Sequence, residues 1–68
     1  MKNTLKVERA KQEITQAELA EKVGVSRQTI NSIEIGKYVP STLLSLKIAS
    51  IFKNGVNDIF TLEDKDWH

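Results

Sequence analysis

The chain has 68 residues, 40% of them apolar, and a formal net charge of +1, which allows one small domain over residues 1–68 around a single core. It contains no cysteine, its one histidine is His68, and it has no glycine-rich phosphate loop. The usual catalytic and metal-binding patterns are therefore missing, and we predict neither an enzyme nor a cofactor. No long apolar run or signal sequence is present, which predicts a cytoplasmic protein that does not contact a membrane.

The charge is divided unevenly along the chain. Residues 1–53 carry nine Lys and Arg and five acidic residues, a net charge of +4, whereas residues 54–68 carry a net charge of −3. A basic body suits a polyanionic partner, but many solvated surfaces have a similar balance. Charge alone therefore leaves both interpretations open.

The first part of the chain predicts two helices. Residues 5–11 are good helix formers, with Leu5 on the apolar side. Thr15 and Glu18 have the spacing of a capping box, in which each side chain accepts a hydrogen bond from the other residue's backbone N–H. A second helix is therefore predicted over about residues 16–23, and Gly24 can adopt the left-handed conformation that ends it.

Two more helices follow in the middle of the chain. Ser26 is a good N-cap for a third helix over about residues 27–35, which Gly36 ends. Ser41 similarly precedes a fourth helix over about residues 42–53.

The end of the chain predicts a short helical turn and an extended segment. The turn covers about residues 56–60, and residues 60–62 can extend and pair with residues 2–4 in a small antiparallel sheet. The predicted fold is therefore all-α, with a minor two-stranded sheet.

The second and third helices are joined by a turn too tight for a long hairpin, so they must cross steeply. Ala20 supplies a small residue at the crossing, Gly24 lies in the turn, and Ile30 anchors the third helix. This spacing between two capped helices is typical of a helix-turn-helix, whose second helix enters the major groove of DNA.

A helical wheel divides the third helix into two faces. Ile30 and Ile33 point inward, as does Val25 just before the helix, whereas the residues pointing outward are mostly uncharged and polar. Amides can pair with adenine and an arginine can fork onto guanine, although an ordinary solvated face is the alternative. The candidate base-facing residues are Arg27, Gln28, Asn31 and Ser32.

The stretch TQAELAEKVGVSRQTINSIEIGKYVPS resembles the Cro-type, lambda-repressor-like helix-turn-helix family of transcription regulators. The resemblance covers residues 5–60 and implies a five-helix domain with a small terminal sheet. The short length and the GKY-x-PS motif are similar to those of the small stand-alone repressors of that family. It follows from this resemblance that the protein is expected to bind a palindromic operator on double-stranded DNA as a homodimer.

The resemblance also assigns roles to individual residues. It implies an internal ion pair between Arg9 and Glu34, which we favour over any catalytic role for Glu34. A dimer seam is expected at Val56 and Phe60, although both residues are equally compatible with the core of one subunit. The residues matching phosphate-contacting or neighbouring positions are Gln16, Ser26, Thr29, Lys37 and Tyr38.

Some positions depart from the family pattern, and other functions remain open. Glu8 stands where an apolar residue is usual, and Ile35 is outward-facing without an assigned contact. An antitoxin that also binds DNA is the main alternative, and an interaction module that has lost DNA binding is a second. The sequence contains no evident small-molecule domain, so no ligand is predicted.

Overall fold

The computed structural model describes residues 1–67, so His68 lies outside the described residues. Within that range there are five α-helices, a two-stranded antiparallel sheet and a terminal 3-10 helix, which confirms the predicted fold class. The 3-10 helix, Asp64–Trp67, was not predicted. The other elements are β1 Lys2–Asn3, α1 Leu5–Gln12, α2 Gln16–Val23, α3 Arg27–Glu34, α4 Thr42–Phe52, α5 Val56–Ile59 and β2 Phe60–Thr61.

The start of α2 is fixed by the predicted capping box. The Glu18 backbone N–H donates to Thr15 Oγ1 at 3.0 Å, and the Thr15 N–H donates to Glu18 Oε1 at 2.9 Å. The hydrogen bond from the Thr15 backbone N–H, followed by the interaction with the Thr15 side chain, lowers the pKa of the Glu18 carboxyl. Gly24 ends the helix with φ +79°, which turns the chain directly into α3.

The end of α3 differs slightly from the prediction. The helix ends at Glu34 rather than at residue 35, and Ile35 is its C-cap. Gly36 then adopts φ +83°, and the backbone N–H groups of Lys37 and Tyr38 both donate to the Ser32 carbonyl. This closed turn places the two residues beside the C-terminal half of α3.

The core joins all five helices. Leu19 and Ala20 of α2 are buried together with Ile30 and Ile33 of α3, as the predicted crossing requires. The buried apolar residues are Leu5, Leu19, Ala20, Val23, Ile30, Ile33, Leu44, Ile48, Ala49, Phe52, Ile59 and Phe60.

The sheet connects both terminal segments of the chain to α3. Lys2 pairs with Thr61 and Asn3 with Phe60, so the pairing is shorter than the predicted one and excludes Leu62. The Asn3 side-chain amide also donates to the Ile33 carbonyl at 2.9 Å. This hydrogen bond holds the C-terminal end of α3 against the terminal sheet.

Glu8 has a structural role that the sequence did not indicate. Its Oε1 accepts a hydrogen bond from Asn54 Nδ2 at 2.9 Å, and its Oε2 lies 3.3 Å from Lys11 Nζ. The carboxylate therefore ties α1 to the turn between α4 and α5.

In residues 1–67 no helix is long and apolar enough to span a membrane.

Candidate nucleic-acid interface

Helix α3 has one buried face and one exposed face. Ile30 and Ile33 are fully buried, whereas Arg27, Gln28 and Asn31 are exposed. Because the buried isoleucines fix the rotation of the helix, the polar side chains are held on its outer side. Ser32 is half-buried on the border between the two faces.

The N-terminus of α3 is held by its own side chains. Ser26 Oγ accepts a hydrogen bond from the Thr29 backbone N–H at 3.1 Å and lies 2.9 Å from Thr29 Oγ1. Both hydroxyls therefore already have a partner, and Ser26 is the N-cap of the helix. An open depression beside them is also lined by Gln28, Ser32 and Tyr38.

Arg9 and Glu34 form the ion pair that the resemblance implied. Arg9 Nε lies 2.6 Å from Glu34 Oε2, and Arg9 Nη2 donates to Glu34 Oε1 at 3.1 Å. The two side chains are only 14% and 6% exposed. The hydrogen bond to Glu34 raises the pKa of the Arg9 guanidinium. Because Arg9 Nη1 also donates to the Ile14 carbonyl at 3.0 Å, the pair joins α1, the following turn and α3.

Gln16 lies at the first position of α2, in contact with the same pair. Its Nε2 donates to Glu34 Oε1 and to Asn31 Oδ1, both at 3.1 Å. An amide nitrogen has two hydrogens, so both are used within the chain. The structure therefore shows the Gln16 side chain within an internal network, and the backbone N–H groups at the start of α2 lie beside it. Sequence reasoning did not predict this contact, because it assigned Gln16 a phosphate contact and Asn31 a base contact, each without reference to the other.

Three segments bring the predicted polar residues to one side of the molecule. An open depression lies between the end of α1, the start of α2 and the start of α3. It is lined by Arg9, Glu13, Ile14, Thr15, Gln16, Ala17 and Arg27. Lys37 and Tyr38 are exposed in the turn after α3, and Tyr38 also borders the depression beside Gln28. This face therefore combines cationic groups, amides and hydroxyls around one exposed helix.

The two residues predicted for the dimer seam lie elsewhere. Phe60 is only 6% exposed and belongs to the core of the single chain, as the alternative interpretation expected, whereas Val56 is half-buried. Both residues line an apolar groove with Val39, Pro40 and Leu46. Sequence reasoning had not placed Val39 on this surface, because it lies in the segment between α3 and α4, where no periodic pattern indicates which way a side chain faces.

The described part of the chain, residues 1–67, holds no cluster of His, Cys, Asp and Glu arranged to bind a metal ion. The exposed polar face includes two cationic side chains, Arg27 and Lys37.

Comparison with known proteins gives one consistent result. Residues 5–59 match the sequence model of a helix-turn-helix family. An uncharacterized HTH-type transcriptional regulator of Methanocaldococcus jannaschii is 54% identical over 66 residues, which cover 97% of this chain and all of the relative. Another from Bacillus subtilis is 48% identical with the same coverage. One from Archaeoglobus fulgidus is 46% identical over 97% of this chain and 94% of its own length.

Proposed function

This chain belongs to the helix-turn-helix family of transcription regulators, a non-enzymatic DNA-binding class, and we propose that it is a sequence-specific repressor. In this proposal α3 enters the major groove of a palindromic operator and excludes polymerase from it. The observation that carries the proposal is the exposed face of α3, from which Arg27, Gln28 and Asn31 project. Arg27 also lines the depression at the start of α2.

The polar face divides into two kinds of DNA contact. Arg27 and Gln28 are exposed on the first turn of α3, where their guanidinium and amide groups match guanine and adenine edges. Lys37 and Tyr38 lie beyond the helix, and the start of α2 offers backbone N–H groups, so these positions suit phosphates. Phosphate contacts fix the register of the protein on the duplex, and base contacts determine sequence preference.

Gln28→Ala and Lys37→Ala are expected to affect DNA binding differently. Loss of Gln28 should cost about 1–3 kcal/mol of binding free energy at the specific site and relax the preference at one base pair. Loss of Lys37 should weaken binding to all duplexes alike and reduce the slope of log K against log salt by about one. Fluorescence anisotropy titrations across salt concentrations measure both effects. If both variants bound like the wild type at every salt concentration, the proposed interface would be wrong.

A dimer is part of this proposal, because one recognition helix reads only a few base pairs. A two-fold dimer places two such helices about 34 Å apart, which is one turn of DNA. Support comes from exposed apolar side chains. Val39 and Leu46, which line the groove with Val56, are each more than half exposed, as is Leu43 of α4. Sedimentation at micromolar concentration should detect a species of twice 7.7 kDa, and a 7.7 kDa species alone would contradict the dimer.

A further inference from the structure

Three side chains form a hydrogen-bonded chain that reaches the exposed face of α3. Glu34 Oε1 accepts from Gln16 Nε2 at 3.1 Å, and the same Nε2 donates to Asn31 Oδ1 at 3.1 Å. The inner end of the chain is fixed, because Glu34 is 6% exposed and paired with Arg9. The outer end, Asn31, is exposed.

The chemistry of Glu34 determines the orientation of both amides. A carboxylate only accepts hydrogen bonds, so the NH₂ group of Gln16 must face it. That NH₂ group only donates, so the group of Asn31 that faces Gln16 must be the carbonyl oxygen. Asn31 Nδ2 is consequently turned away from Gln16, and within residues 1–67 it donates no hydrogen bond.

We propose that Gln16 is a specificity-positioning residue that acts on DNA through Asn31. By holding Asn31 Oδ1, it presents Asn31 Nδ2 to the major groove as a donor, so Asn31 selects a base edge that carries an acceptor. Guanine offers two acceptors, and adenine and thymine offer one each, whereas cytosine offers only a donor. The base facing Asn31 is therefore any base except cytosine, with guanine preferred. This inference rests on the proposed function, since it assumes that α3 lies in the groove.

The inference assigns Gln16 a different role from the one implied by the family resemblance. A side chain that bound only phosphate would affect all operator sequences equally. A residue that orients Asn31 affects the preference at one base pair and leaves the other positions unchanged.

The test measures relative affinities for duplexes that carry each of the four bases at every position of a selected site. The position facing Asn31 is the one at which Asn31→Ala abolishes the preference. There the wild type should disfavour cytosine by about fivefold, the ratio expected for one hydrogen bond. Gln16→Ala frees Asn31 to rotate and accept from cytosine, so this ratio should fall to about twofold or less. In the Asn31→Ala background, Gln16→Ala should not change the profile further.

Gln12→Ala is the matched control, because Gln12 is an exposed glutamine at the C-terminal end of α1. It should leave the base profile unchanged. Two results would overturn the inference and leave the proposed function standing. One is that Gln16→Ala lowers the DNA affinity equally for all four bases at the Asn31 position. The other is that the wild type accepts cytosine at that position. This last comparison needs only the wild type and Asn31→Ala, so the inference can be overturned even if Gln16→Ala does not fold. A wild-type protein with no base preference at any position would instead overturn the proposed function.

Discussion

Arg9→Ala is expected to lower the free energy of unfolding by about 3–5 kcal/mol, because it leaves a buried carboxylate without its cation. Glu34 is 6% exposed, and its Oε2 lies 2.6 Å from Arg9 Nε. After the substitution, Gln16 would be the remaining side-chain donor to this carboxylate in the described part of the chain. The same change removes the donor to the Ile14 carbonyl. For a domain of this size, such a loss is a large fraction of the total stability.

Urea denaturation followed by circular dichroism measures this loss, and two other variants define its cause. Lys11→Ala removes an exposed partner of Glu8, 3.3 Å away, and should cost less than about 1 kcal/mol. Replacing both members of the buried pair, Arg9→Met with Glu34→Leu, should recover most of the stability lost in Arg9→Ala, since no buried charge remains unpaired. An Arg9→Ala variant as stable as Lys11→Ala would show that the pair does not hold α1 to α3.

Ile30→Ala is expected to cost about 2–5 kcal/mol of unfolding free energy, because it opens a cavity where α3 packs on the core. Ile30 is fully buried in the cluster that includes Leu19 and Ala20 of α2. Its loss removes the apolar group that fixes the rotation of the recognition helix, so DNA affinity should fall together with stability.

Ile35→Ala provides the control for this substitution. It makes the same chemical change at the end of the same helix, where the side chain is 57% exposed, and should alter stability by less than about 0.5 kcal/mol. Thermal and urea unfolding of the two variants measure the difference. Equal losses would contradict the division of α3 into a buried anchoring face and an exposed polar face.

The features that could be predicted from the sequence are those determined by neighbouring residues. The Thr15 and Glu18 capping box, the Ser26 cap and the left-handed Gly24 all depend on groups within a few positions. Helix boundaries were correspondingly accurate to within one residue: α3, α4 and α5 end one residue before the predicted end, and α1 ends one residue after it. Local hydrogen-bonding chemistry is sufficient for such features.

The contacts that organise the polar face could not be predicted in the same way. Gln16 reaches Asn31 and Glu34 across the crossing of α2 and α3, and that contact depends on side-chain conformations that periodicity does not specify. The bond from Asn54 to Glu8 joins residues 46 positions apart, so an apparently misplaced acid proved to be a link between helices. The Arg9 and Glu34 pair was anticipated only through the family resemblance.

Selection of binding sites from random duplex DNA tests the central claim, that α3 reads base edges, most directly. The account predicts an enriched site made of two inverted half-sites, with centres about 10–10.5 base pairs apart, and a defined base preference in each half. It also predicts that Gln28→Ala loses the preference at one position in each half-site. Recovery of sequences no different from the starting pool, with the protein folded, would contradict it.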